Sequence, residues 1–581
     1  MKYTLILNSN KNNWPTDQNL CFLGHWCLEQ IKDSFRNISK YKLINKIKKN
    51  DKDVDQDVDN MIKIYSSLQK DIKFFLNNFH RVSYSDRFWE IIIGPWLKTF
   101  IGIVYQRYTS LENALKDEMI DNILLVKSNL DDLSTNNVSD LEYKASKNIN
   151  EWNTILYTHI FENLNTTHKQ IKFNHKIEKK TEVHKKNIKS FFMKFLGLIN
   201  FLNLKKKYFI YGADLKFKYI ILLNYYLKQI PFVTLKINYN FKDINLEKRN
   251  NFNFKKSNIS EIESFIRKIL PFSIPTDLIE NFENLINISN QANWPKNPLK
   301  IFTSVSFHGD EVFKFYLAQN VEKNSLYISH QHGSNYFTGK NTIIQTDYDT
   351  CDKFLSWGEN SQKKAHSLFN TKNISFKKLI KNRGKKLLVM SPKWSSMRKR
   401  PYDDYGLMIN ESFTLENLLF NLDTKIKKKV LIKAHSDVYD SKKLEKKILE
   451  EIIFKRDKYN INRSQLNNKL VRESKIVLHP GDYTGFLESL AIGIPTICVQ
   501  SNLNWIRYSA KKDYEKLIEA KILFTSSKEA ADHINNIFYD VENWWNDPFV
   551  LNIREKFCKK YSKEAPKNPI KKIAEMIIRQ N

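Results

Sequence analysis

The chain has 581 residues, more than one core needs, and its 41% hydrophobic and 13% aromatic content excludes a disordered polymer. Lys and Arg number 94 against 63 Asp and Glu, a formal net charge of +31. Most of the excess is lysine scattered among Asn and Ile, so the charge by itself names no partner. Five cysteines, odd in number and mostly far apart, exclude a disulfide framework and fit a reducing cytoplasm. Cys21 and Cys27 flank His25 in CFLGHWC, but no second pair follows to complete a zinc site, and a packed aromatic corner is expected there.

The opening MKYTLILNSNKNNW holds an apolar run too short for a signal-peptide core. No segment supplies the ~20 apolar residues of a bilayer span. Ile91–Val104 is interrupted by Pro95 and Lys98, and Phe191–Leu204 is short and holds Lys194. The latter, with KKNIK before it and KKK after it, either lies on an anionic membrane surface or, the preferred reading, forms a buried helix. After a strand at Lys2–Leu7, apolar residues at three- and four-residue spacing predict helices at Met61–Phe79 and Phe88–Tyr108, within a mainly helical region over 1–195. Between helices, DKDVDQDVDN (51–60) imitates a calcium loop and fails, because Gln56 takes the glycine position and Ile62 stands where a bidentate Glu belongs. It reads as a solvated charge run.

From there short apolar strands alternate with helices. One series, Tyr208–Tyr211, Phe232–Ile237, Lys300–Val305, Ser325–Ser329 and Lys353–Trp357, falls in a domain over 196–375. A second follows a basic linker near Lys377–Lys386, within 376–581: Lys386–Met390, Lys429–Lys433, Lys475–Leu478, Pro495–Val499 and Ile522–Thr525, then helices including Val541–Trp545 and Lys567–Gln580. Continuous apolar strands between helices predict an α/β chain of two Rossmann-like, doubly wound parallel sheets, whose ligands bind at the carboxyl ends of the strands.

Leu478–Val499, LHPGDYTGFLESLAIGIPTICV, carries the most chemistry. A strand ends at His479-Pro480, and Gly481 to Gly485 turn into a helix. Backbone N–H groups at that helix start, with Tyr483 and the Thr484 hydroxyl, suit a phosphate or pyrophosphate. Glu488, one turn in, can accept from a ribose diol. Upstream, LIKAHSD (Leu431–Asp437) brings Lys433 and His435 to a strand end, where they can grip a diphosphate. In the other series YISHQHG (Tyr327–Gly333) supplies His330 and His332. Gly333 lets a substrate approach the backbone beside His332, which is therefore the expected base for an acceptor hydroxyl. SFHGD (Ser306–Asp310) adds His308 and Asp310 to the acceptor side. A packed structural histidine is the alternative at each of these positions.

The spacing Gly485-x-x-Glu488-Ser489-x-x-x-Gly493-x-Pro495 resembles the donor-nucleotide signature of glycosyltransferases with the two-Rossmann GT-B fold. His332-Gly333, Lys433-Ala434-His435 and Tyr483-Thr484 with Glu488 resemble the three donor-site elements of capsule and teichoic-acid transferases, although Ser436 stands where those have proline. Over nearly the whole chain, FLGHWC (22–27), NNFHRVSYSDRFWEIIIGPWLKTFIGIVYQRY (77–108), SHQHGSNY, FLSWG (354–358) and Trp544, Trp545, Arg554 and Phe557 resemble the LIC-type sugar-transferase family of bacterial surface-polysaccharide loci. Two elements differ: DKDVDQDVDN replaces a Trp-Asp-Asp-Arg-like run, and Gln-His-Gly-Ser replaces Gln-His-Gly-Gly. The resemblance implies a cytoplasmic, GT-B-like transferase that takes a nucleotide-sugar donor to a glycan or lipid-linked acceptor. It would need no metal or cofactor, would associate at most peripherally with membrane and would bind no specific nucleic acid. Transfer of a polyol phosphate, or a non-catalytic basic protein that binds polymer or RNA, are the alternative readings.

Overall fold

Runs such as Val430–Lys433 and Thr496–Val499 are buried at every residue, as parallel strands covered on both faces must be. The computed structural model describes residues 1–28, 41–44, 49–146, 151–164, 166–174, 207–231, 236–334, 336–340, 345–375, 384–390, 407–433, 460–462, 470 and 473–579. Among these lie three sheets, paired in parallel throughout. The first contains β1 (Tyr3–Ile6), β2 (Leu20–Phe22), β3 (Lys42–Leu43), β4 (Ile120–Lys127) and β5 (Lys169–Asn174), in the order β3-β2-β1-β4-β5. The second contains β6 (Tyr208–Ile210), β7 (Lys300–Thr303), β8 (Leu326–His330), β9 (Lys353–Ser356) and β10 (Ala365–Ser367), side by side in sequence order. The third contains β11 (Lys386–Met390), β12 (Val430–Lys433), β13 (Asn460–Asn462), β14 (Ser474–His479), β15 (Thr496–Val499) and β16 (Leu523–Phe524). Its order, β13-β12-β11-β14-β15-β16, reverses direction between β11 and β14, and that switch point is where such sheets open a crevice for ligand.

The second and third sheets follow the two strand series expected from the sequence. Three departures are seen: of Phe232–Ile237, 232–235 lie outside the described residues and Lys236 and Ile237 are not in a strand, while β10 and β13 were not expected. The N-terminal region is rich in helix as expected, yet it also builds the first sheet, of which periodicity gave only β1. β2 and β3 are too short to show any alternation, and β5, KQIKFN, is an edge strand with only Ile171 and Phe173, both half-buried, turned to the core. Phe191–Leu204 and His435 lie outside the described residues.

Two long helices fill the N-terminal region, α1 (Asp51–His80) and α2 (Asp86–Ala114). The expected charge run at 51–60 is instead the opening of α1. Asn50 accepts from the Lys52 and Asp53 amides at 2.9 and 3.1 Å, and Asp53 accepts from the Asn50 amide at 2.9 Å, a reciprocal cap. Val54 and Val58, four residues apart, turn to the core, and Asp57 accepts from Tyr105 Oη at 3.1 Å. α2 runs unbroken through Pro95 and past Lys98. It is long and apolar enough to cross a membrane, but 89% of its most apolar window is buried inside the protein. Losing one N–H at Pro95 costs about 3 kcal/mol, which burial of the helix on all sides offsets.

The core beneath α2 is continuous with that of the second sheet: Trp89, Trp96 and Phe100 belong to one cluster with Phe209, Phe313 and Tyr327. One face of the third sheet has its own core, and among the described residues several connections hold this unit to the second sheet. The C-terminal chain is one, where Ser562 Oγ donates to Leu487 O (2.8 Å) and accepts from Asn370 Nδ2 (2.9 Å), before the last helix, Pro569–Arg579, buries Ile570, Ile573 and Ile577 against the second sheet. Another is the segment Thr338–Lys340. Its backbone pairs with Trp505–Arg507, and the buried Lys340 ammonium bonds Asp51 (2.7 Å) and Asp55 (2.6 Å) on α1, while Lys511 pairs with Asp51 from the third unit.

Burial alone would raise the Asp51 pKa, but hydrogen bonds and charge from Lys340 and Lys511 more than offset it and hold the carboxyl below its ordinary range. A carboxyl with a lower pKa folded than unfolded stabilises above the unfolded value and loses that contribution as pH falls. Asp51→Asn should therefore melt below wild type at pH 7, and the gap should shrink as pH falls from about 5 through and below the ordinary Asp value. A gap of constant size across that range, in thermal melts at matched ionic strength, would contradict this clasp.

Candidate active site

β8 ends at His330, and the chain then crosses the mouth between the second and third sheets. His330 itself is beneath that wall: it is buried, Nδ1 is 2.9 Å from Ser304 Oγ and Nε2 is 3.4 Å from Thr371 Oγ1, so both nitrogens are engaged. Burial pushes its pKa down to about 3 and keeps it neutral. Asp310 is likewise turned inward, accepting from the Phe313 amide (3.1 Å) as the cap of Glu311–Glu322 and from Tyr211 Oη (2.5 Å). His332 and His308 remain at the mouth, with ring centres 5.3 Å apart.

His332 is gripped by two residues that the sequence reading did not select. Tyr336 Oη lies 2.8 Å from His332 Nδ1 and 2.8 Å from Oδ2 of the fully buried Asp347. The tyrosine has one proton for two partners, and the acid decides where it goes. Burial would raise the Asp347 pKa, yet hydrogen bonding and charge from His308, His332 and Tyr336 overcome it and keep the carboxylate ionised. An ionised carboxylate only accepts, so Tyr336 donates to Asp347, and His332 Nδ1–H donates to the tyrosine oxygen. This fixes the tautomer and leaves Nε2 of His332 with its lone pair. Burial, with the neighbouring His308, pushes the His332 pKa down to about 4, so the ring is neutral at physiological pH, the form a base requires.

His308, His332 and Asp347 present ligand atoms within 4.8 Å of one another. Asp347 is already committed, Oδ2 to Tyr336 and to Ser329 Oγ (3.3 Å) and Oδ1 to the Tyr348 amide (3.0 Å).

Opposite this wall, β14 delivers the turn Pro480–Tyr483 and the helix Thr484–Ala491, whose N-terminus opens at the cleft. Small residues are required in that turn. A Cβ at Gly481 would meet the Tyr483 ring at 2.6 Å, and one at Gly485 would press on His479 Cε1 at 3.2 Å. His479 is buried against Ser489 Oγ (3.0 Å) and supports the helix from below. The two walls touch directly: the Ser334 amide donates to Thr484 Oγ1 at 3.1 Å, and Gly333 leaves that oxygen room to approach. Lys433 ends β12, with its pKa lowered by burial, on the strand next to β11 at the switch point. Glu488 looks across the cleft toward Lys372 and Asp214, which pair with each other. Burial pushes its pKa up to about 7, with Lys372 opposing and Asp214 adding to the rise. Asn373 Nδ2 donates to Glu488 O at 3.0 Å from the same side.

The structure thus gathers His332, His308, Thr484, Tyr483 and Glu488 around one mouth, sets Lys433 at the neighbouring strand end, and buries His330 and Asp310 behind it. Tyr336, Asp347 and Lys372 went unselected because tyrosine and aspartate in a polar loop carry no periodic or motif signal. Only the closeness of Tyr336 to His332, four residues away, hinted at the first. In Tyr336→Phe the Nδ1–H loses its acceptor, so the imidazole nitrogen spectrum of His332 should change from one tautomer to a mixture. The same change should be absent in Thr484→Ala, and an unaltered His332 signal in Tyr336→Phe would contradict the relay.

Comparison with known proteins supplies the remaining constraint. No functionally curated protein matches the chain. Among solved structures it is similar to the spinosyn rhamnosyltransferase SpnG, alone and complexed with spinosyn aglycone, at 10% identity over 51% of this chain. The matches cover 79% and 80% of that enzyme with TM-scores of 0.26 and 0.25, a likeness too distant to bear on the site. The family model described as the LIC12162 family transferase matches residues 3–577. With that match running nearly end to end, the chain belongs to the LIC12162 family of transferases.

Proposed function

We propose that this transferase moves a glycosyl group from a nucleotide-sugar donor to a hydroxyl of a growing surface polysaccharide or its lipid-linked precursor, at the cytoplasmic side of the membrane. The observation that carries the reading is the meeting of His332 and the Thr484 helix start across one mouth, joined by the Ser334–Thr484 hydrogen bond. A neutral histidine with a free Nε2 and a helix start with spare N–H groups are the two parts a sugar transfer needs, a base for the acceptor and a site for the departing diphosphate.

In this reading the acceptor hydroxyl attacks the anomeric carbon while His332 Nε2 takes its proton. The bond from that carbon to the diphosphate oxygen breaks, and the electron pair stays with the diphosphate. Helix-start amides, the Thr484 hydroxyl and Lys433 stabilise the developing charge, and Tyr483 closes the turn beside them. His435 joins this group by resemblance alone. Glu488, with a pKa of about 7, can both accept from and donate to a ribose diol. Protonated His332 keeps its Nδ1–H on Tyr336, and Asp347 offsets the charge it gains. Because amides and lysine supply the positive field, turnover should persist in EDTA.

Thermal melts against CMP, CDP, UDP, GDP, dTDP and ADP test the donor half. A nucleotide at about one hundred times its Kd stabilises by roughly 2.7 kcal/mol, and this should vanish in Thr484→Ala and Lys433→Ala. His332→Ala should keep the nucleotide shift and lose transfer about a hundredfold or more. Absence of any nucleotide shift, or full shifts in both donor-site variants, would sink the assignment.

A further inference from the structure

The helix Phe217–Tyr226, which follows β6, buries one face and leaves the other in water. Leu223 and Leu227 pack toward the last helix of the chain, whereas Phe217, Ile221, Leu222 and Tyr225 are exposed, Tyr225 by 71%. Residues 217, 221, 222 and 225 fall on one helical stripe, and Ile230, 52% exposed, extends the apolar surface beyond it. The flanking sequence carries one sign of charge. Lys207, Lys216, Lys218 and Lys228 are all exposed, and no Asp or Glu occurs from Leu215 to Lys242. Asp214, the nearest acid in sequence, is paired with Lys372.

We infer that this stripe docks on an anionic lipid surface. Apolar and aromatic side chains ringed by lysines match both layers of such a surface, the acyl boundary and the negative headgroups. A second copy of the chain does not match, since it would bring the same lysines together. The location gives docking a consequence. The helix starts three residues after Asp214, which with Lys372 faces Glu488, so the rim of the cleft would rest near the bilayer, where a lipid-linked acceptor arrives. The surface is argued from exposure and charge and does not depend on the nucleotide reading, so either can fail while the other stands.

The full chain is sedimented with vesicles of phosphatidylcholine alone, or of phosphatidylcholine and phosphatidylglycerol in equal parts. Binding is expected to the anionic vesicles only, weakening as salt rises. Ile221→Ser with Tyr225→Ser, and separately Lys216→Glu with Lys218→Glu, should each reduce it about tenfold or more with melting temperature unchanged, as these side chains are exposed. The inference is overturned if wild type ignores anionic vesicles, or if both double variants bind like wild type, which would move the contact elsewhere on the chain. It is also overturned if the stripe mediates a dimer in solution, one that the Ile221 and Tyr225 changes dissolve, while lipid binding is absent.

Discussion

Helix α2 is buried around its whole circumference, and one of its faces sets the position of the candidate base. Arg87, Gly94 and Lys98 fall on that face at intervals of seven and four residues. Arg87 donates to Thr350 O (3.0 Å) and to Asp352 Oδ2 (2.8 Å), Lys98 pairs with Asp349, and Gly94 admits Thr346 so closely that a Cβ would stand 2.8 Å from Thr346 Cγ2. The residues gripped in this way surround Asp347. Asp352 also accepts from the Tyr327 amide at 2.7 Å, on the strand that ends at His330. The site is therefore built outward from α2: the helix holds the segment Thr346–Asp352, Asp347 holds Tyr336, and Tyr336 holds His332.

That chain of support explains why the N-terminal region shares a core with the second sheet. A base held through two hydrogen bonds keeps its geometry only if the carboxylate at the end of the relay cannot move, and a fully buried carboxylate on a short helix is fixed only by what packs against it. The third unit is attached differently, through the Thr338–Lys340 strap, the Ser334–Thr484 bond and the C-terminal chain. These polar links are joined by an apolar one, since Trp357 packs with Phe486 and Leu487 of the third unit and Phe337 touches the clusters on both sides.

Much of the fold could be read from the chain because buried parallel strands are apolar along their length. Lys386–Met390 and Thr496–Val499 stand out against any helical background. The first sheet was hidden for the opposite reason: Lys42–Leu43 has two residues, and Lys169–Asn174 is an exposed edge. DKDVDQDVDN looked like solvated charge because its acids dominate composition, whereas in three dimensions two valines face the core and two aspartates reach Lys340, 285 or more positions away in sequence. At the site, the helix start at Thr484 and the histidine beside Gly333 were legible, since a small-residue turn and a glycine neighbour have local signatures. The relay was not, since Tyr336 and Asp347 acquire their roles only when α2 brings Thr346–Asp352 against β8. The long motif at 77–108 was recognisable as a resemblance, and its physical content is that support.

In the proposed function one ligand would lie between the His332 loop and the Thr484 helix start. Hydrogen exchange measured by mass spectrometry, with and without the nucleotide that stabilises the protein most, tests it directly. The account predicts that peptides covering Gln331–Ser334 and Gly481–Phe486 gain protection together, and that both gains disappear in Thr484→Ala. Protection confined to other segments, or to one of these walls without the other, would contradict it.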